Sequence, residues 1–259
     1  MASPIANALA ATLLLAAVSG AGELGLSFEA LYASAYIWRG VELDSGRSLQ
    51  PGVTLFWEAS DKVGFDANVW WNLAQTEPEP GHEEALFERD LTLSGRLAPA
   101  EPWTLSVGWV DYRSPKAPRL PNGDRPRTRE VFVEAGYAGK VATHAAKLSY
   151  DFGQYRGYYL DWTSTATVPL GEWLDLESSL HLGAAQGMGP NPSQPDECYY
   201  YDEDGVVDGS VGAALVTSLT PHLSLRISGV WVVRFDSDEA FGGKSKSTTW
   251  GGVTLAWSL

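Results

Sequence analysis

One cysteine, two methionines and four histidines are scattered through the 259 residues of this chain. A lone Cys198 cannot close an internal disulfide, and no Cys/His cluster has metal-ligand spacing. No glycine-rich phosphate loop occurs, and no cofactor is expected. Basic residues are also scarce. With 18 Lys and Arg against 32 Asp and Glu, the net charge is −14, which excludes nucleic acid as a partner because phosphates require Lys and Arg. Long apolar runs are missing too: nothing reaches the roughly 20 residues of a spanning helix.

The longest apolar stretch, Ala8 to Val18, is followed by Ser19, Gly20 and Ala21. Small residues after a short apolar run suit a signal peptidase. We therefore expect residues 1–21 to be a cleaved signal peptide, although Met1 to Asn7 contains no Lys or Arg. The rest, 22–259, is expected to form one domain that keeps the whole net charge.

What the chain has in abundance is alternation. In Val63, Phe65, Ala67, Val69, Trp71 and Leu73, apolar residues recur at every second position, with Gly64, Asp66, Asn68, Trp70 and Asn72 between them. A period of two sends alternate side chains to opposite faces of a pleated strand. Such segments recur at 24–39, 50–60, 62–74, 86–97, 103–113, 129–138, 143–153, 157–168, 173–185, 209–219, 223–235 and 248–259. Their connectors alternate short and long, except for a brief one near Gln154. The expected fold is all-β: a transmembrane antiparallel up-and-down β-barrel of about 12 strands in a bacterial outer membrane. Short turns and both termini would then be periplasmic. The last strand alternates through Val253, Leu255, Trp257 and Leu259, which fits a terminal signal for the barrel assembly machinery. Eleven Trp and 11 Tyr suit aromatic belts among outer-membrane lipids and lipopolysaccharide.

Charge at lipid depth costs a few kcal/mol per residue, so the charged phase must face the lumen. That phase carries Glu29, Glu58, Asp66, Glu88, Asp90, Glu130, Glu134, Asp151, Asp161, Asp175 and Glu177. It also carries Arg39, Arg96, Lys147, Arg226 and Arg234, together with Asn68 and His181. The excess of carboxylates predicts a mildly cation-favouring channel for passive diffusion of small hydrophilic solutes. The same charges could instead pair across strands and fill a closed barrel with a structural, adhesive or envelope-organising role. Oligomeric state is left open.

Ala33 to Val41 (Ala-Ser-Ala-Tyr-Ile-Trp-Arg-Gly-Val), followed by Ser48 to Val53, resembles the N-terminal signature of the TorF family of porins. In that family a Ser-Asp-Tyr-aromatic-Arg-Gly stretch closes the first strand; here Ala35 stands at the Asp position. The resemblance implies a pore-forming outer-membrane barrel and lends no substrate. On the alternation alone, Tyr36 and Trp38 fall on the lipid-facing phase as girdle residues, and Arg39 points inward at the mouth.

Two further features carry less. The stretch Asp196 to Asp208 holds six carboxylates and three tyrosines, but its Asp202-x-Asp204-Gly205 lacks the first and twelfth ligands of a calcium loop. Neither His181, near Glu177, nor His222, near Ser224, sits in a convincing nucleophile context, so no enzyme is expected. His82 reads as a loop residue and His144 as an outward one.

Overall fold

The computed structural model describes residues 22–74, 86–113, 127–188, 201, 203–235 and 247–259. The expected signal peptide, His82, Cys198 and most of the acidic stretch from Asp196 lie outside these residues. The described chain forms fourteen strands. They are β1 (Glu23–Ala33), β2 (Tyr36–Trp38), β3 (Val41–Asp44), β4 (Ser48–Glu58), β5 (Val63–Ala74), β6 (Leu86–Ala100) and β7 (Trp103–Arg113). There follow β8 (Arg127–Ala138), β9 (Ala142–Asp151), β10 (Tyr158–Pro169), β11 (Asp175–Gln186), β12 (Gly205–Thr220), β13 (Leu223–Arg234) and β14 (Ser247–Ser258).

Twelve of the strands close into one antiparallel barrel. Each pairs with its sequence neighbour, and β1 closes the ring by pairing with β14 on one side and β4 on the other. Closure satisfies every edge, which a strand in hydrocarbon requires. Barrel strands of 10 to 16 residues meet the roughly 9–11 needed to cross a bilayer.

Cross-strand pairs share a face, so the register carries the phase around the ring. Leu24, Leu26, Phe28 and Tyr32 of β1 point outward and are 39–45% exposed. They continue through Val53 and Val69 on one side and through Trp257, Leu255 and Val253 on the other. Aromatic rings mark both margins of this outward band. At the short-turn margin Trp103, Tyr137, His144 and Trp162 form a row across four strands, with centroids 4.9, 6.3 and 6.2 Å apart. At the long-loop margin stand Tyr32, Tyr158 and Trp231. Indole and phenol rings favour that depth because it is apolar on one side and wet on the other.

The first strand departs from expectation. Continuous alternation predicts a strand to residue 39, with Tyr36 and Trp38 on the lipid face. Instead β1 ends at Ala33, and the chain folds into the barrel as a separate two-stranded hairpin, β2 and β3. Tyr36 is 5% exposed and Trp38 packs inside, so neither belongs to the girdle. The cause is local. Arg39 and Gly40 both take positive φ, 48° and 78°, the geometry of a two-residue turn that matches strand twist. Ala33 and Ala35, almost fully buried, are small enough to let the backbone bend inward.

Candidate functional site

The barrel interior has two tiers. At the short-turn half the inward charges are wet and only partly paired. Arg96 donates to Glu58 at 2.5 Å, Arg226 pairs with Glu177, and Asn68 donates to Thr54 Oγ1 at 2.8 Å. Asp66 accepts from the Ser94 hydroxyl at 3.4 Å. Among the described residues, no cation lies within ion-pair distance of Glu29, Asp66, Glu134 or Asp175.

At the long-loop half the hairpin occupies the lumen. Arg39 reaches Glu130 with both terminal nitrogens, at 2.6 and 2.7 Å, and the two side chains are 9% and 1% exposed. Its guanidinium also lies over Trp38 and Tyr159, 4.5 and 4.2 Å from the ring centroids. Planarity and forked donors let one arginine make these contacts together, which a lysine could not reproduce. Tyr36 donates to Glu88 at 2.8 Å, and Thr248 donates to Glu42 at 2.9 Å, so the hairpin is tied to the wall at both β6 and β14. Tyr201 donates to the Arg39 carbonyl at 3.0 Å. Val41 sits beneath, in an apolar cluster with Tyr159, Ala185, Met188, Tyr201 and Val207.

Beside the hairpin lies a cavity of about 380 Å³. Arg39, Lys147 and His181 meet Asp161 and Asp208 around it, with Trp38, Tyr112, Tyr159 and Trp250 as aromatic walls. His181 bridges the two acids: Nε2 lies 2.8 Å from Asp208 and Nδ1 3.3 Å from Asp161. Tyr159 donates to Asp208 at 2.9 Å. Mixed charge and ring faces suit a hydrated polar solute that is held weakly and released. His222, by contrast, lies at a short turn with Nδ1 3.0 Å from the Ser258 carbonyl.

By register Glu29, Glu58, Asp66, Glu88, Asp90, Arg96, Glu130, Glu134, Lys147, Asp151, Asp161, Asp175, Glu177, Arg226 and Arg234 share the inward phase. Their surroundings differ, however. Asp151 is 1% exposed and accepts from Thr128 Oγ1 at 2.5 Å and from the Gly153 and Tyr155 N–H groups, which fixes the brief turn at Gln154. Glu88 and Glu130 are spent on the hairpin. Asp208 escapes a sequence reading because β12 begins at Gly205, four residues before the expected 209. The alternation of Asp208, Ser210 and Gly212 is the signal that would have found it.

The same barrel recurs among solved proteins. The NanC porin structure superposes with a TM-score of 0.50 over 90% of this chain and 100% of that one, at 14% identity. A KdgM porin structure gives a TM-score of 0.51 over 91% and 99%, at 8% identity. The fold is that of outer-membrane porins. A further KdgM structure, with TM-score 0.50 and 8% identity, is a complex with disordered oligogalacturonate. No protein-family profile matches the chain, and no curated protein does.

Proposed function

We propose that this chain is an outer-membrane channel for passive diffusion of small hydrophilic solutes, narrowed at the inward β2–β3 hairpin and mildly favouring cations. The observation that carries the reading is a closed twelve-stranded barrel whose polar lumen narrows to a charged, aromatic-walled cavity beside that hairpin. The hairpin overlaps the Ala33 to Val41 segment that resembles TorF porins. In this reading the long loops face the cell exterior and both termini face the periplasm. Barrel assembly machinery would insert the mature chain after removal of residues 1–21.

The preference for cations follows from unequal pairing. Arg39, Arg96 and Arg226 are each neutralised by a carboxylate, whereas Glu29, Asp66, Glu134 and Asp175 keep their field. Fixed charge of one sign concentrates mobile ions of the other in a narrow aqueous path. Lys147 at the cavity, in register with Glu134 but within ion-pair distance of no carboxylate among the described residues, would hold back only the most strongly cationic solutes. The KdgM complex makes acidic oligosaccharides a natural comparison solute.

Planar-bilayer recording on the refolded, detergent-purified protein tests this. Discrete channel events are expected, with a reversal potential of cation-selective sign in a salt gradient. A folded barrel that shows no events would refute the channel and leave a closed barrel with a structural or adhesive role.

A further inference from the structure

The outward surface of β6, β7 and β8 carries a charge pattern at odds with the acidic whole. Asp111 lies on the outward phase near the long-loop end and is only 2% exposed. Arg113 Nε lies 2.7 Å from it, Arg129 Nε 3.4 Å, and Arg127 Nε also contacts it. Arg89 is in register with Arg113, and Arg113 with Arg127, so four of the chain's 18 basic residues share one outward patch. Among the described residues, one carboxylate against four guanidiniums leaves a formal excess of three positive charges. The three arginines on Asp111 remain 28%, 34% and 42% exposed, so they are organised yet reachable.

Position gives the patch its meaning. Trp109 precedes Asp111 by one outward step, and the Tyr150–Tyr158 pair, 4.7 Å apart, flanks it on β9 and β10. Rings of this kind mark the edge of the hydrocarbon. The arginines lie one step further out, at the depth of lipid headgroups, where a basic cluster attracts phosphate. Asp111 holds the guanidiniums in a fixed array, so less ordering entropy is lost when an anion arrives.

We propose that this patch docks the phosphorylated glucosamine headgroup of lipopolysaccharide in the outer leaflet. This rests on the outer-membrane reading, though not on an open lumen. The test titrates detergent-purified protein with bis-phosphorylated lipid A, dephosphorylated lipid A and phosphatidylglycerol, following bound lipid by native mass spectrometry. Bis-phosphorylated lipid A should bind tightest. Each Arg→Gln change among R113Q, R127Q and R129Q should weaken it roughly fivefold, and the triple variant on the order of 100-fold. R89Q, which leaves Asp111 with its partners, should lose a similar single step and guards against a folding artefact. Equal binding of dephosphorylated lipid A, phosphatidylglycerol binding as tightly as lipid A, or unchanged affinity in folded variants would overturn the proposal. Conductance of the same variants should stay at the parental level. Loss of lipid binding therefore cannot be mistaken for failure of the channel, nor the reverse.

Discussion

Replacing Arg39 with glycine separates the clamp from the turn that presents it. Arg39 sits at φ 48°, a conformation that costs a side-chain-bearing residue about 1–2 kcal/mol, so R39G relaxes the backbone while deleting the guanidinium. The loss is larger. Removing one member of a buried ion pair costs about 3–5 kcal/mol, and the lower end applies because the lumen is partly wet. Two ring contacts add about 0.5–1 kcal/mol each. The net is a loss of about 3 kcal/mol of hairpin docking, which shifts the docked-to-released ratio by roughly 150-fold. In single-channel recording R39G should spend far more time in a higher-conductance state than the parent. E130Q supplies an independent readout, since it keeps Arg39 and removes its partner. Trypsin cleavage after Arg39, suppressed in the docked hairpin, should then accelerate in proportion to the released population. Parental conductance and gating in both variants, with parental trypsin resistance in E130Q, would show that the ion pair does not hold the constriction.

Three other outcomes follow from the same geometry. G40V should destabilise the hairpin by about 2 kcal/mol or more, because Gly40 is at φ 78° and a side chain there meets Asp208; guanidinium unfolding followed by Trp fluorescence would register it. Y159F keeps the ring under Arg39 but removes the hydrogen bond to Asp208, and should cost about 1–3 kcal/mol in the same assay. E134K should move the reversal potential toward anions, since Glu134 is inward and lacks an ion-pair partner among the described residues. An unmoved potential would remove the charge-field account of selectivity.

Much of the barrel is legible in the chain because its two solvents are so different. Lipid outside and water inside enforce period-two alternation for as long as a strand lies between them. That is why Asp66 on β5 and Asp90 and Arg96 on β6 can be placed inward by counting from Val63 and Leu91. Counting fails where the outside solvent ceases to be lipid. Tyr36 and Trp38 keep the alternation yet leave the wall, and period two cannot distinguish a strand facing lipid from a hairpin packed in a lumen. The Arg39-Gly40 pair was the available sign, as a two-residue turn with left-handed φ at both positions. Asp208 was hidden by the uncertain start of β12, and Asp151 gives no hint in sequence that its carboxylate fixes a turn.

The sequence by itself determined a membrane-spanning barrel, its strand phase and the excess of acid inside it, because alternation and composition are local properties that one solvent boundary imposes. Tertiary structure alone decided how those charges are used. Arg39 meets Glu130, 91 residues away, only because the hairpin folds into the closed ring, and Tyr159 meets Asp208, 49 away, only once β10, β11 and β12 are paired. Pairing of β6, β7 and β8 gathers Arg113, Arg127 and Arg129 around one outward carboxylate, with Arg89 in register beside Arg113. In the linear chain they are merely scattered bases in an acidic protein.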